Sequence, residues 1–395
     1  MLGAVFALNM FGRGLGDTYA VFLLPLEDEF GWSRSQTTGV YSVYLLVHGF
    51  TSPLVGLAFD RLGPRWVYGA GTACLGAAFF FAAQLTSLWQ FYLLIGALVG
   101  AGVSLNGMVP ASALLARWFR ARLSTAIGVA YSSFGVGTLV LVPLAQHLVA
   151  ELDWRGAYRA IGATLLLATP LVTLAVPWGR FTAGSAEHRL GRSARAGDGR
   201  WTLRTALRSP VYWGLTQVFF FTAAGMFAVL VQLVAFFIDA GFSPLAAATA
   251  YGATGMMSAI SVTSSGFASE RFGYRRVISL SFAGTAIGML LLLAMAFHPH
   301  AWLLALFVPV FGLCMGVRGP IVSSVATKYF AGPSVAAIYG GIYAANAVGA
   351  AFGSFVGGLL HDLSGGYKLG FAFALACVAI ASAPFSVVRD LRTYR

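Results

Sequence analysis

Apolar residues fall along this chain in long unbroken stretches. They show neither the half-polar stripe of a surface helix nor the alternation of a half-buried strand. Twelve stretches approach or exceed the roughly 20 residues a helix needs to cross a hydrocarbon core. They are 2–25, 37–59, 65–86, 89–115, 122–150, 157–177, 211–238, 244–268, 275–297, 301–326, 335–361 and 367–388. Most connections are only a few residues long. The exception, 179–210, is polar and rich in Arg, Gly and Ser. It separates residues 1–178 from residues 211–395, six stretches on each side. The pattern predicts an all-α membrane protein: twelve transmembrane helices in two six-helix bundles joined by a basic linker. The first stretch is full length and carries charges at its centre, unlike the short apolar core of a cleavable signal.

Composition agrees. The chain is 58% hydrophobic and 10% charged, against roughly 25% charged for a soluble domain. That excludes a disordered chain, a nucleic-acid binder and an ordinary soluble enzyme, which could not expose so much apolar surface. The formal net charge of +12 is explained by placement. With the N-terminus inside, the inner loops and C-terminal tail hold Arg61, Arg65, Arg117, Arg120, Arg122, seven Arg between 180 and 208, Arg271, Arg275, Arg276, Lys328, Arg389, Arg392 and Arg395. These are 19 of the 25 basic residues, and the outer loops hold four: Arg34, Arg155, Arg159 and Lys368. The bias follows the positive-inside rule and places both termini in the cytoplasm. A plasma membrane, that of a bacterium, is the expected location. Cys74, Cys314 and Cys377 are odd in number and far apart, so no disulfide or metal framework follows.

The two halves echo one another. Gly56-Leu-Ala-Phe-Asp60-Arg61-Leu-Gly63-Pro-Arg65 and Gly266-Phe-Ala-Ser-Glu270-Arg271-Phe-Gly273-Tyr-Arg275 share the pattern G-x-x-x-[D/E]-R-x-G-x-R, 210 positions apart. Gly128, Tyr131 and Gly137 recur as Gly340, Tyr343 and Gly349, offset by 212. A six-plus-six duplication with parallel halves marks one class of secondary transporter. In the loops, the first glycine would let helices approach closely. Asp60, Arg61 and Arg65, with Glu270, Arg271 and Arg275, would pair across inner helix ends as a latch that breaks when the cavity opens inward. The alternative is that these charges only set topology.

On these residues the sequence resembles the major facilitator superfamily. A narrower resemblance, to monocarboxylate porters, lies in Trp118-Phe119-Arg120-Ala121-Arg122 leading into Ala126-Ile127-Gly128-Val129-Ala130, in Trp154-Arg155-Gly156-Ala157-Tyr158, and in Phe30-Gly31-Trp32-Ser33-Arg34-Ser35. It includes oxalate–formate antiporter-like members. The resemblance implies that helices 1, 4, 7 and 10 line a central cavity. Three positions depart from the proton-coupled lactate carriers. Their helix 1 lysine falls on Asp17, and their helix 8 Asp and Arg fall on Ser258 and Val262. Lactate and pyruvate are correspondingly disfavoured as substrates.

A charge near mid-membrane costs at least about 2.5–3.5 kcal/mol on insertion scales, so it is kept for a purpose. Arg13 and Asp17 stand at i and i+4 near the middle of helix 1, with Asn9 one turn earlier, and Arg318 lies inside helix 10. Asn106 in helix 4 and Gln217 and Gln232 in helix 7 add neutral hydrogen-bonding groups; Tyr343 and Asn346 in helix 11 are further candidates, core packing being the alternative. Two positives against one negative suit an anionic substrate. The planar guanidinium fork suits a carboxylate. Alternatively, Arg13 and Asp17 merely satisfy one another. Asp17 either positions Arg13 or takes up a proton and couples transport. His48, His147, His361 and the pair His298 and His300 read as structural.

Glycine spacing at Gly349, Gly353 and Gly357, and at Gly96 and Gly100, marks close helix contact. Gly12-Arg13-Gly14-Leu15-Gly16 follows no strand and is not a nucleotide loop. No ATP-binding, zinc-protease or nucleophile-elbow pattern occurs, and no cofactor, metal or nucleic acid is expected. The expected function is secondary active transport of small organic anions, carboxylates foremost, by alternating access in a lipid bilayer, with protons or an exchanged anion as the energy source. A monomer is the expected unit. Alternatives are an exporter of hydrophobic or drug-like compounds and a ligand sensor that moves nothing.

Overall fold

The computed structural model describes residues 1–119, 123–183, 201–330 and 334–393. Arg120 and Arg122, much of the linker with Arg189, Arg192, Arg195 and Arg200, and Arg395 lie outside the described residues. So does the side chain of Glu270.

Among the described residues, nine stretches are long and apolar enough to span a membrane. Two of them are hairpins fused at a bend. Arg34–Ala82 turns at Gly63 (φ 78°) and holds helices 2 and 3. Leu123–Pro170 turns at Asp153 (φ 62°) and holds helices 5 and 6. Helix 1 is interrupted at Thr18, as Leu2–Asp17 and Tyr19–Phe30, and completes twelve. Helix 4 is Leu88–Trp118, helix 7 Pro210–Asp239, helix 8 Pro244–Phe272, helix 9 Tyr274–Met295, helix 10 Ala301–Tyr329, helix 11 Val335–Ser364 and helix 12 Lys368–Ser382.

The duplicated loops are duplicated turns. Gly63 and Gly273, the same position of the repeated pattern, both have positive φ, 78° and 84°. Side chains with a Cβ rarely adopt that conformation, so glycine permits the reversal in each half. Asp153 makes the corresponding reversal without glycine, and its carboxylate accepts the Gly156 N–H at 2.8 Å, capping helix 6. The first glycine of the pattern behaves differently from the expectation. Gly56 has only ordinary contact with Val109, and Gly266 faces open space, so neither makes a close helix approach here.

Packing follows the repeat. Gly137 of helix 5 lies on the Met10 carbonyl and on Gly14 of helix 1; its counterpart Gly349 of helix 11 lies on the Phe220 carbonyl of helix 7. Gly353 and Gly357 continue that face against Ala224 and Ala228. Between the halves, helix 5 packs on helix 8 through Gly135, Gly252 and Gly255, and helix 11 packs on helix 2 through Gly49 and Gly358. A Cβ at Gly353 would overlap backbone atoms of Ala224, which cannot swing aside. Gly353→Ala should therefore cost about 1–3 kcal/mol. Thermal unfolding in detergent should show a lowered midpoint, while Gly266→Ala, facing open space, stays near the parent.

Candidate functional site

Helices 1, 4, 7 and 10 are each interrupted near mid-span, and a polar residue stands at every break. Asp17 ends the first segment of helix 1, and Asn106 caps the segment Val99–Leu105 of helix 4. Gln232 caps Leu233–Asp239 of helix 7, and Arg318 opens the segment Arg318–Tyr329 of helix 10. Asn106 and Arg318 are 212 positions apart, the offset of the helix 5 and helix 11 repeat. Broken helices at a repeat interface are where secondary transporters commonly bind substrate.

Arg13 lies at the junction of the halves. Its Nη2 pairs with Asp17 Oδ1 at 3.3 Å, and its Nη1 donates to the Tyr44 hydroxyl at 3.3 Å. Asp17 is saturated further: Oδ1 accepts from the Tyr41 hydroxyl at 3.2 Å and Oδ2 from Thr138 Oγ1 of helix 5 at 3.1 Å. Tyr251 of helix 8 and Tyr343 of helix 11 are within electrostatic reach of Arg13 from the other half. The Arg13 side chain stays 20% exposed. The glycine run around it is a packing device. Gly12 admits Asn106, Gly14 admits Gly137, and Gly16 admits the Tyr44 ring, so three helices close on helix 1.

Arg318 is placed otherwise than expected. It is 1% exposed and enclosed within its own bundle. Its Nη2 donates to Thr285 Oγ1 of helix 9 at 3.0 Å and approaches Met226 Sδ of helix 7 at 3.4 Å; the guanidinium lies 5.0 Å from the Phe282 ring centre. Nε and Nη1 have no hydrogen-bond partner among the described residues. The expectation of two arginines facing one cavity is therefore corrected. Asn106 is its mirror image, buried against Gly12 of helix 1 and Gly71 of helix 3, with Oδ1 unpaired among the described residues. Asn9 is fully buried with its amide likewise unpaired.

The remaining candidates divide. Gln217 donates to the Ile380 carbonyl of helix 12 at 3.0 Å, which turns it towards that helix and not towards Arg13. Asn346 Nδ2 reaches the Phe219 carbonyl at 3.5 Å. Tyr343 is 43% exposed, and its repeat partner Tyr131 39%. Asp60, Arg61, Arg65, Arg271 and Arg275 are exposed or half-buried. Arg65 and Arg271 lie over Trp66 and Phe272, and no ion pair joins these loops among the described residues. Asp60, the acid of the first loop, makes no ion pair among the described residues.

The opposite end of the molecule is tied. Asp362 of helix 11 accepts the backbone N–H groups of Arg34 (2.9 Å) and Ser35 (2.8 Å) in the first turn of helix 2. Arg34, 5% exposed, pairs with Glu27 at 2.9 Å and donates to the Tyr367 hydroxyl at 3.1 Å. That hydroxyl donates to Asp239 at 2.5 Å. Ser354 Oγ donates to the Thr38 carbonyl nearby. Within the first half, Arg155 pairs with Glu29 at 2.7 Å and donates to the Ala83 carbonyl, and Trp154 Nε1 also donates to Glu29.

The sequence pattern of the Major Facilitator Superfamily matches residues 2–266 and 259–393. The chain belongs to the Major Facilitator Superfamily. This facilitator is similar to monocarboxylate transporter 13 of Bos taurus, 25% identical over 393 residues, covering 96% of this chain and 89% of that one. It is 27% identical to monocarboxylate transporter 3 of Rattus norvegicus over 386 residues, covering 96% and 77%. The uncharacterised MFS-type transporter YcxA of Bacillus subtilis is 24% identical, covering 96% and 91%. Two solved structures share the fold at 15% identity. One is a bacterial homologue of the human lysosomal transporter Spinster, inward-facing and occupied (TM-score 0.75, covering 99% and 96%). The other is a point mutant of the nucleoside transporter NupG (TM-score 0.76, covering 98% and 99%). The protein is a multi-pass membrane transporter resembling monocarboxylate porters, and not an enzyme.

Several of these contacts leave no mark in the sequence. Tyr41, Tyr44, Thr138 and Tyr251 around the Arg13–Asp17 pair carry no spacing signal, because they come from three other helices. Arg34 reads there as an outer-loop charge within the segment Phe30–Ser35 that carries the narrower resemblance, with no partner indicated, and Asp362 does not stand out at all. His48 stacks on Tyr44 at 6.2 Å between ring centres, and His361 meets Tyr367 at 4.7 Å. The three cysteines are free, and no metal-holding cluster occurs among the described residues.

Proposed function

We propose that this transporter moves small organic anions, carboxylates foremost, by rocking its two six-helix bundles about a site centred on Arg13. The observation that carries this reading is an arginine at mid-span, aligned by Asp17 and Tyr44, approached by Tyr251 and Tyr343 of the other half, and still partly accessible. A guanidinium so held can offer its free N–H groups to a carboxylate. The likeness to monocarboxylate transporters supports the same substrate class. Tyr343 and Asn346 close the site from helix 11. Asn9 and Asn106 shape helix 1 behind it.

Asp17 acts here as the residue that orients Arg13. A proton carrier would have to release Arg13, Tyr41 and Thr138 in every cycle. Protons or a counter-transported anion then supply energy elsewhere in the cycle. Asp60, Arg61, Arg65, Glu270, Arg271 and Arg275 form the latch of the alternate state. In this reading they lie with both termini on the cytoplasmic side, which the excess of basic residues in those loops supports, the membrane is a bacterial plasma membrane, and each monomer works alone.

Arg318 contributes positive potential from inside its bundle, not a direct fork. Coulomb attraction from a buried charge of this kind, at an effective dielectric near 20, is on the order of 1 kcal/mol, or roughly tenfold in affinity. Arg318→Lys should thus keep most anion affinity and Arg318→Met should lose about tenfold, measured by ligand titration of folded protein. Equal loss in both would restore a direct contact.

The deciding experiment for the function is a thermal-shift screen of mono- and dicarboxylates followed by counterflow in proteoliposomes. A stabilising carboxylate that also exchanges supports the reading. Binding without flux under any gradient would mark a sensor, and stabilisation by hydrophobic cations alone would mark a drug exporter.

A further inference from the structure

Helices 9 and 12 leave a groove between them on the outside of the second bundle, with a cavity of about 330 Å³. Its lining is segregated. At the end that carries the duplicated loops stand Arg275, Ser279, Ser382 and Ser386; deeper in, the walls are apolar and include Ala286 and Leu375. Helix 9 begins, and helix 12 finishes, at that same end, so the polar groups of the two helices meet. From Arg275 to Ala286 the groove follows eleven residues of helix, about 16 Å at 1.5 Å per residue. One leaflet of a hydrocarbon core about 30 Å thick is about 15 Å deep. The groove therefore has the length of one leaflet, a polar and cationic mouth at headgroup depth, and an apolar floor at acyl-chain depth.

Arg275 is the one charged residue among the described residues that line the groove. Arg275 and its neighbour Arg276 are exposed and make no ion pair among the described residues. Asp390 of the C-terminal segment accepts from Tyr329 and is not part of the lining. A larger groove of about 640 Å³ between helices 8 and 10 has no charged residue in its lining and gives no basis for selecting a headgroup.

We infer that the groove between helices 9 and 12 is a site for one anionic phospholipid, its phosphate on Arg275 and the adjacent serine hydroxyls and one acyl chain along the apolar floor. Clustered basic groups near a membrane surface favour anionic headgroups over zwitterionic ones. The inference is independent of the transported substrate and concerns the described conformation, in which Arg275 is exposed. It also reaches the interior, because Phe282 lines the groove and lies under the Arg318 guanidinium.

The test uses the full-length, delipidated protein in detergent. Its unfolding temperature is followed while dioleoyl-phosphatidylglycerol, dioleoyl-phosphatidylcholine or soluble glycerol phosphate is added. Phosphatidylglycerol should stabilise at about tenfold lower concentration than phosphatidylcholine, and glycerol phosphate should not stabilise. Arg275→Gln should abolish the preference between the two lipids. Ala379→Phe, which fills the groove from its exposed wall, should remove the saturable effect of phosphatidylglycerol; native mass spectrometry should then show the loss of one bound lipid. Equal potency of the two lipids on the parent protein overturns the inference. So does stabilisation by glycerol phosphate, which would mean a soluble-anion site, or an unchanged preference in Arg275→Gln.

Discussion

Asp17→Asn should lower proton-driven accumulation and anion exchange together, by tenfold or more. The reason is geometric. The Asp17 carboxylate accepts from Arg13, Tyr41 and Thr138, and so fixes the direction of the Arg13 guanidinium. An asparagine keeps the size but offers one acceptor oxygen and two donors, so it cannot hold all three. The guanidinium is then free to swing, and a substrate carboxylate loses a prepared partner. Arg13→Ala should remove the contact itself. Charged hydrogen bonds of this kind are worth about 1.5–3 kcal/mol, or about ten- to a hundredfold in dissociation constant. Removing one member of a partly buried ion pair also destabilises the other. The double variant Arg13→Gln with Asp17→Asn separates these effects: it should recover stability without recovering transport. If exchange survives in Asp17→Asn while only proton-driven accumulation is lost, Asp17 carries the proton and the orienting role is wrong.

The sequence made the spans legible, because a helix in hydrocarbon must be apolar for about 20 residues whatever surrounds it. It made the duplication legible too, since the Gly63 and Gly273 turns need the same backbone and keep the same residue. It did not reveal rotation. A span that is apolar all round carries no stripe to say which side meets the cavity, so Arg318 could be placed on a helix but not on a face. The structure turns it inward to helices 7 and 9, where Thr285, Met226 and Phe282 surround it. Gln217 turns to helix 12 in the same way, for the same reason. Nor does any spacing expose a bond between residues 328 positions apart, as Asp362 and Arg34 are.

That distant bond carries the second large expectation. Asp362→Ala should shift the transporter away from the present conformation, towards one open at the end where helix 2 begins. Both Asp362 oxygens hold N–H groups of the first turn of helix 2, a helix of the other half. Nothing on helix 2 itself replaces them at those two positions, although Ser33 caps the Gln36 N–H through the same turn. Losing an N-terminal cap costs about 0.5–2 kcal/mol. Here the cost falls only on the conformation that makes the bond, so it acts directly on the balance between conformations, up to about tenfold or more in population. Arg34 limits the shift, because its links to Tyr367 and through it to Asp239 remain. Adding Tyr367→Phe should therefore extend it. Spin labels on helix 2 and helix 11 near this end report the distance directly, once Cys74, Cys314 and Cys377 have been replaced. The variants should populate a longer distance, the double variant most. Transport should slow in step, because the return through the closed conformation is disfavoured. An unchanged distance distribution in the double variant would leave these contacts as passive packing between halves held together by the glycine faces of helices 2 and 11.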